Sequence, residues 1–246
     1  MIDVLVTNDD GVEAKGIKAL AKVLGGCRGV RVTVVAPRHE QSSTSHAISL
    51  RTPLRISKVK PNVYAVEGTP IDAVFAGVWI ILKKKPDFIF SGINRGGNLG
   101  DDVHYSGTVS AAMEGGLLGV PSVAISQLGK TEFDYTQSAA FARIMLEKVR
   151  KHTLPAGVVL NVNVPEKANL CHYAVTKTGQ RDYGGKYIEQ RDPRGAPYYW
   201  IGGDQYKHIS MKGSDCDAVF SGKISITPLQ VDITSYGHIE TVRNWF

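Results

Sequence analysis

Over its first 165 residues the chain alternates short β-branched runs with longer segments whose apolar residues recur at helical spacing. Few folds accept that rhythm, which is the signature of a parallel sheet covered by helices on both faces. Val4–Thr7, Val30–Ala36, Val63–Val66, Phe88–Ser91, Ser122–Ile125 and Gly157–Asn161 read as strands. Several are apolar throughout, as strands buried on both faces are. Lys15–Leu24, Ile71–Leu82, Ser106–Leu118 and Thr136–Lys151 read as the intervening helices. The expected fold class is α/β, a Rossmann-like three-layer parallel sheet.

After Pro165 the texture changes. Turn signals at Gly184-Gly185, Asp192-Pro193-Arg194-Gly195 and Gly202-Gly203 punctuate alternating residues between Gln180 and Gly203, which predicts a β-hairpin extension. Lys223–Thr227 returns to a strand pattern and Tyr236–Phe246 reads as a short helix. The expectation is one domain of 246 residues, with a core over 1–165, a hairpin extension over about 168–222 and a C-terminal arm over about 223–246. Pro197-Tyr198-Tyr199-Trp200 suits a subunit contact or a fold-back onto its own domain equally well.

The longest apolar run, Ala73–Leu82, stops at Lys83-Lys84-Lys85 and is too short to cross a bilayer. Those lysines read as a solvated helix end. No secretory leader is visible after Met1, so the cytoplasm is the expected location, without membrane contact. Cys27, Cys171 and Cys216 are an odd count without CxxC spacing, which suits neither a disulfide framework nor a thiolate zinc site. The net charge of +6 is spread along the chain. A diffuse positive balance favours small anionic ligands, whereas nucleic acid calls for a clustered basic stripe.

The first strand ends in Thr7-Asn8-Asp9-Asp10-Gly11, and open α/β sheets bind ligands at the carboxyl ends of their strands. Adjacent carboxylates raise one another's pKa unless a cation neutralises them. Oxygen ligands suit a hard divalent ion, magnesium or manganese, better than zinc. The competing reading is that Asp9 or Asp10 caps the helix beginning near Ala14. The second strand leads into Ala36–His46, with Ser42 among its small polar residues, and the fourth into Ser91-Gly92-Ile93-Asn94-Arg95-Gly96-Gly97-Asn98. Then His104-Tyr105-Ser106-Gly107-Thr108 enters a helix through small residues, leaving backbone N–H groups free for an anion. Neither a P-loop lysine nor a GxGxxG is present, so an NTPase or dinucleotide fold is not supported. A carboxylate pair for a cation plus a helix N-terminus for an anion points to phosphate ester chemistry.

The blocks TNDDG (Thr7–Gly11), APRHEQS with SH (Ala36–Ser42, Ser45-His46), GTP.D (Gly68–Asp72), SGINRGGN (Ser91–Asn98), SGTVSAA (Ser106–Ala112), PYYWIGG (Pro197–Gly203) and SITPLQ.D.T (Ser225–Thr234) resemble those of the SurE family of stationary-phase survival nucleotidases. The likeness spans nearly the whole chain. It implies a metal-dependent phosphomonoesterase acting on nucleoside 5′- and 3′-monophosphates, with short polyphosphate a substrate of some members. It also implies one divalent ion, magnesium or manganese, held by Asp9, Asp10, Ser42 and Asn94, with Asp9, Asp10 and Asn94 as catalytic residues. Asn98, Ser106, Gly107 and Thr108 correspond to the phosphate side. A homodimer or homotetramer that exchanges C-terminal arms is implied as well. The family's usual wording has aspartate where Arg38 stands, which touches only local loop electrostatics. His46 and His104 are candidate general acids, although a satisfied loop histidine is the commoner outcome.

Two rival readings stand beside this one. A haloacid-dehalogenase-like phosphatase attacks phosphorus with an aspartate, but that class separates its two aspartates by one residue and here they adjoin. A nucleotide-binding regulator would use the same metal and phosphate groups without catalysis.

Overall fold

The computed structural model describes residues 1–129, 132–182, 187–201 and 207–246. Chain order runs β1 (Ile2–Thr7), α1 (Lys15–Gly25), β2 (Val30–Pro37), β3 (Ile56–Lys60), β4 (Val63–Val66), α2 (Pro70–Ala76), β5 (Phe88–Arg95), α3 (Gly107–Leu117), β6 (Ser122–Gln127), α4 (Thr136–Lys151) and β7 (Val158–Val164). It continues through β8 (Tyr173–Val175), β9 (Gln180–Asp182), β10 (Tyr187–Arg191), β11 (Pro197–Ile201), β12 (Lys207–Ile209), α5 (Asp215–Phe220), β13 (Ile224–Gln230) and α6 (Ile239–Arg243).

The main sheet has the order β3-β4-β2-β1-β5-β6-β7-β13-β8. The run from β4 to β7 is parallel. At the two flanks, β3 pairs antiparallel with β4 and β13 antiparallel with β7. The expected α/β architecture is thus present, as a mixed rather than wholly parallel sheet. Two cores explain the three layers. Val4 and Val6 face α1 and α4, where Ile17, Leu20, Phe141 and Leu146 are buried. Leu5 faces the other way, onto Val74 and Ala76 of α2 and Ala111 of α3. Alternation along one strand serves both layers.

The helix expected over Ile71–Leu82 divides into α2 and a π-helical turn, Gly77–Leu82, closed by Lys83 at φ 55°. Lys84 is not merely solvated, because its ammonium pairs with the buried Asp3 carboxylate at the start of β1. Hairpin β10/β11 runs in register from Tyr187 opposite Ile201 to Arg191 opposite Pro197. Its turn is closed by Asp192, whose carboxylate accepts from Arg194 N at 2.8 Å and Ala196 N at 2.9 Å. Gly184-Gly185 and Gly202-Gly203 lie outside the described residues. β9 and β12 pair antiparallel as a separate two-stranded ribbon.

The C-terminal arm divides as well. Its strand, β13, pairs within the chain's own sheet, from Ser225 beside Asn163 to Gln230 beside Val158. Beyond Val231 no residue is buried, and the tail carries a 3-10 turn, Tyr236–His238, and the short α6 where one helix over Tyr236–Phe246 was expected.

Candidate active site

From β1 the chain builds outward on one side through β2 and β4, then crosses back to β5, β6 and β7 on the other. The crevice beyond the carboxyl ends of β1 and β5 is therefore the topological switch point, where such sheets hold ligands. Asp9 and Asp10 follow β1, and Asn94 is the penultimate residue of β5, which extends past the expected Ser91 to Arg95.

Asp9 is 5% exposed and lies against the N-terminus of α3. Thr108, itself fully buried, donates its hydroxyl to Asp9 Oδ1. A side chain at Gly107 would place its Cβ 2.8 Å from Asp9 Cβ, so only glycine lets the helix come this close. Burial pushes the Asp9 carboxyl up to about 6, and the neighbouring Asp10 charge adds to this against the pull of the Thr108 hydroxyl. Burial likewise raises Asp10, with Glu40 adding repulsion, while the Arg95 amide, 3.0 Å from Asp10 Oδ2, works the other way. Neither aspartate caps α1, whose N-cap is Ala14 without a side-chain bond. The capping alternative is excluded.

The loop after β2 is tied to the same point, since Gln41 N donates to Asp9 O at 2.8 Å. Ser42, the next residue, is exposed and gives its hydroxyl to Glu40 Oε1 at 2.7 Å. Asn94 donates through Nδ2 to Gly96 O at 2.9 Å, leaving its Oδ1 uncommitted by that bond. Asn8 donates to Gly11 O at 3.0 Å, and its buried Oδ1 has no partner among the described residues.

Expected phosphate-side residues divide by role. Ser106 caps α3, its Oγ accepting from Val109 N at 3.1 Å. Gly107 and Thr108 offer first-turn amides that have no intrahelical acceptor, but the Thr108 hydroxyl serves Asp9. Asn98 is 7% exposed and is held by β6 and β7: its N donates to Asn163 Oδ1 at 2.7 Å and its Nδ2 to Ser126 Oγ at 2.7 Å.

His46 pairs with Glu114 of α3 at 2.9 Å, and Ser45 docks on the carbonyls of His104 and Tyr105. His104 is exposed. Arg38 reaches Ser57 of β3 and lies 3.8 Å from Glu67, so the residue that departs from the family wording braces the sheet edge.

Sequence reasoning missed Arg95, Glu114, Ser126, Asn161 and Asn163. For Ser126, Asn161 and Asn163 the available signal was polar residues inside strands that should be apolar on both faces; Arg95, which acts through its backbone amide, and Glu114, on α3, leave no such signal.

A family model described as Survival protein SurE matches residues 4–185. The chain belongs to the SurE family. It is 46% identical over 245 residues to the 5′-nucleotidase SurE of Geotalea uraniireducens (strain Rf4), covering 98% of each chain. It is 45% identical over 244 residues to the protein of the same name from Myxococcus xanthus (strain DK1622), covering 98% of this chain and 92% of that one. The crystal structure of the SurE protein from Aquifex aeolicus superposes with a TM-score of 0.87 at 37% identity over 99% of both chains. The fold is shared with that protein over the whole chain, and membership in SurE removes the haloacid-dehalogenase reading. No helix among the described residues is long and apolar enough to cross a membrane.

Proposed function

We propose that the chain is a phosphoric monoester hydrolase that converts nucleoside monophosphates to nucleoside and phosphate. Its relatives are named 5′-nucleotidases. The observation that carries the reading is the buried Asp9 carboxyl, raised to about 6 beside Asp10 at the mouth of α3. Two carboxyls held where ionisation is costly are a site built for a cation.

The residues fit a divalent ion. The donors available are all oxygens: the carboxylates of Asp9 and Asp10, the amide oxygen of Asn94 and the hydroxyl of Ser42. Among the described residues no group of three His, Cys, Asp or Glu side chains gathers here or elsewhere, so this set relies on the neutral oxygens of Asn94 and Ser42 beside its two carboxylates. An oxygen set of this kind suits magnesium or manganese. Once bound, the ion polarises a phosphoryl oxygen and lowers the pKa of water.

The chain's own contribution is placement. Thr108 fixes one oxygen of Asp9, and the Arg95 amide fixes one of Asp10. The dipole at the start of α3 favours the dianionic phosphate. Asn98 and the amides of Gly107 and Thr108 serve the phosphate side in this reading. We extend it to 3′-monophosphates and short polyphosphate, to a cytoplasmic location supported by free Cys27, Cys171 and Cys216, and to a homodimer or homotetramer joined through the exposed tail.

The deciding experiment measures phosphate released from AMP and 3′-AMP by metal-free protein, then after adding magnesium or manganese. Release that depends on the ion supports the reading. Nucleotide binding without release would instead make the chain a regulator.

A further inference from the structure

Parallel strands covered on both faces are ordinarily apolar, because a buried amide without a partner is costly. On one face of β6 and β7 the rule is broken. Ser126, Asn161 and Asn163 are each fully buried, with Ser126 beside Asn163 and Ala124 beside Asn161 in the parallel register. Their polar groups converge on one residue outside the sheet. Asn163 holds both backbone polar groups of Asn98, accepting from its N at 2.7 Å and donating to its O at 3.0 Å. Asn161 donates to the same carbonyl at 2.8 Å, and its own Oδ1 has no partner among the described residues. Asn161 is thus kept in the interior for a single bond.

We propose that Asn161 and Asn163 are positioning residues for the phosphate end of the substrate, acting through Asn98. The inference rests on the reading above that Asn98 faces the phosphate. The loop does not need the pair merely to stay in place. Leu99 is buried beside Cys216 and Val219, and Gly100 N is bonded to Asp215 Oδ2 at 2.9 Å. What the pair adds is the setting of the two peptide planes that flank the Asn98 Cα, and so of the direction in which its side chain leaves the backbone. Ser126 then engages one of the two Nδ2 hydrogens at 2.7 Å, which leaves the other to meet an anion. Because these bonds reach Asn98 and not Asp9 or Asp10, their loss weakens phosphate binding and spares the cation.

The test uses the full-length protein and compares Asn163→Ala, Asn161→Ala, Asn98→Ala and the double variant Asn98→Ala/Asn163→Ala. Calorimetry reads the affinity for inorganic phosphate, and kinetics on AMP read KM, kcat and the manganese concentration for half activity. Asn163→Ala is expected to weaken phosphate binding and raise KM by about 10-fold, with kcat and the manganese half-point within about threefold of the parent. The double variant is expected to be no worse than Asn98→Ala alone, since the two residues act as one unit. Phosphate affinity within about twofold of the parent overturns the proposal, and so do effects that multiply in the double variant. Should Asn163→Ala fail to fold, Asn163→Asp keeps the volume and the acceptor for Asn98 N while removing the donor to its carbonyl, and is judged by the same numbers. A parent protein that binds phosphate but releases none from nucleoside monophosphates defeats the nucleotidase reading alone, because calorimetry still reads phosphate.

Discussion

Asp9 serves two opposed requirements: the fold buries it, and the proposed chemistry wants it ionised. Thr108 mediates between them, because its hydroxyl stabilises the charged form and commits one of the two carboxylate oxygens. Thr108→Val is expected to lower activity or metal affinity by about 10- to 100-fold, as loss of a group supporting a metal ligand does. Thr108→Ser should recover most of it; a metal titration of all three proteins checks this, and equal losses in both variants would refute the hydroxyl's role. The raised carboxyl also has a consequence for stability. A folded-state value of about 6, above the ordinary 3.8, means that folding favours the protonated form. Stability from this group is therefore full below about pH 4 and is lost as pH rises through 6. In chelated protein, Asp9→Asn should be more stable than the parent at pH 8 by on the order of 2 kcal/mol, with the gap closing near pH 4. Urea melts across that range measure it, and parallel curves for the two proteins would contradict it.

Among the elements, β1 shows how much could be read in advance. Its continuous apolar run and the motif that follows placed strand, crevice and carboxylates together from sequence, because burial on both faces and a turn of short polar residues and glycine leave local signatures. Asp3 left none. It sits at 4% exposure between Arg31, whose Nε is 2.5 Å from its Oδ1, and Lys84 from the end of the π-helical turn. Pairings that distant in the chain are set by tertiary contact, and so are Asn98 with Asn163 and β13 with β7. The split of the helix after Ala76 was equally hidden, since apolar periodicity does not distinguish α from π winding over six residues. The two cations hold the Asp3 carboxyl below its usual range. Its contribution is present above about pH 4 and lost as pH falls further, the opposite sense to Asp9. Asp3→Asn should cost about 1–2 kcal/mol at pH 7, because both cations are half exposed and regain water. Denaturant midpoints at pH 7 and pH 3 test this, and a cost unchanged at pH 3 would exclude the charge as its source.

At the scale of the whole molecule, the tail leaves the body after β13. Ile233 is 90% exposed and Trp245 71%, while the hairpin presents Tyr199 at 58% and Trp200 at 63%. Apolar surface left in water costs about 25 cal/mol per Å², which motivates a second copy as the cover. Removal of residues 232–246 should leave the sheet intact and abolish the dimer or tetramer. Sedimentation of the two forms at micromolar concentration decides it: a full-length monomer, or an assembly that survives truncation, sinks the arm model. The sheet order bears on synthesis too. The first strand made is a central strand of the sheet, and its partner β5 ends at Arg95. At ribosomal rates of about 5–20 residues per second, β1 waits roughly 4–18 s with one edge unpaired. During that interval the nascent chain carries an apolar strand open to wrong partners, and the residues destined for the cation and the phosphate stay apart until the ribosome has delivered α3.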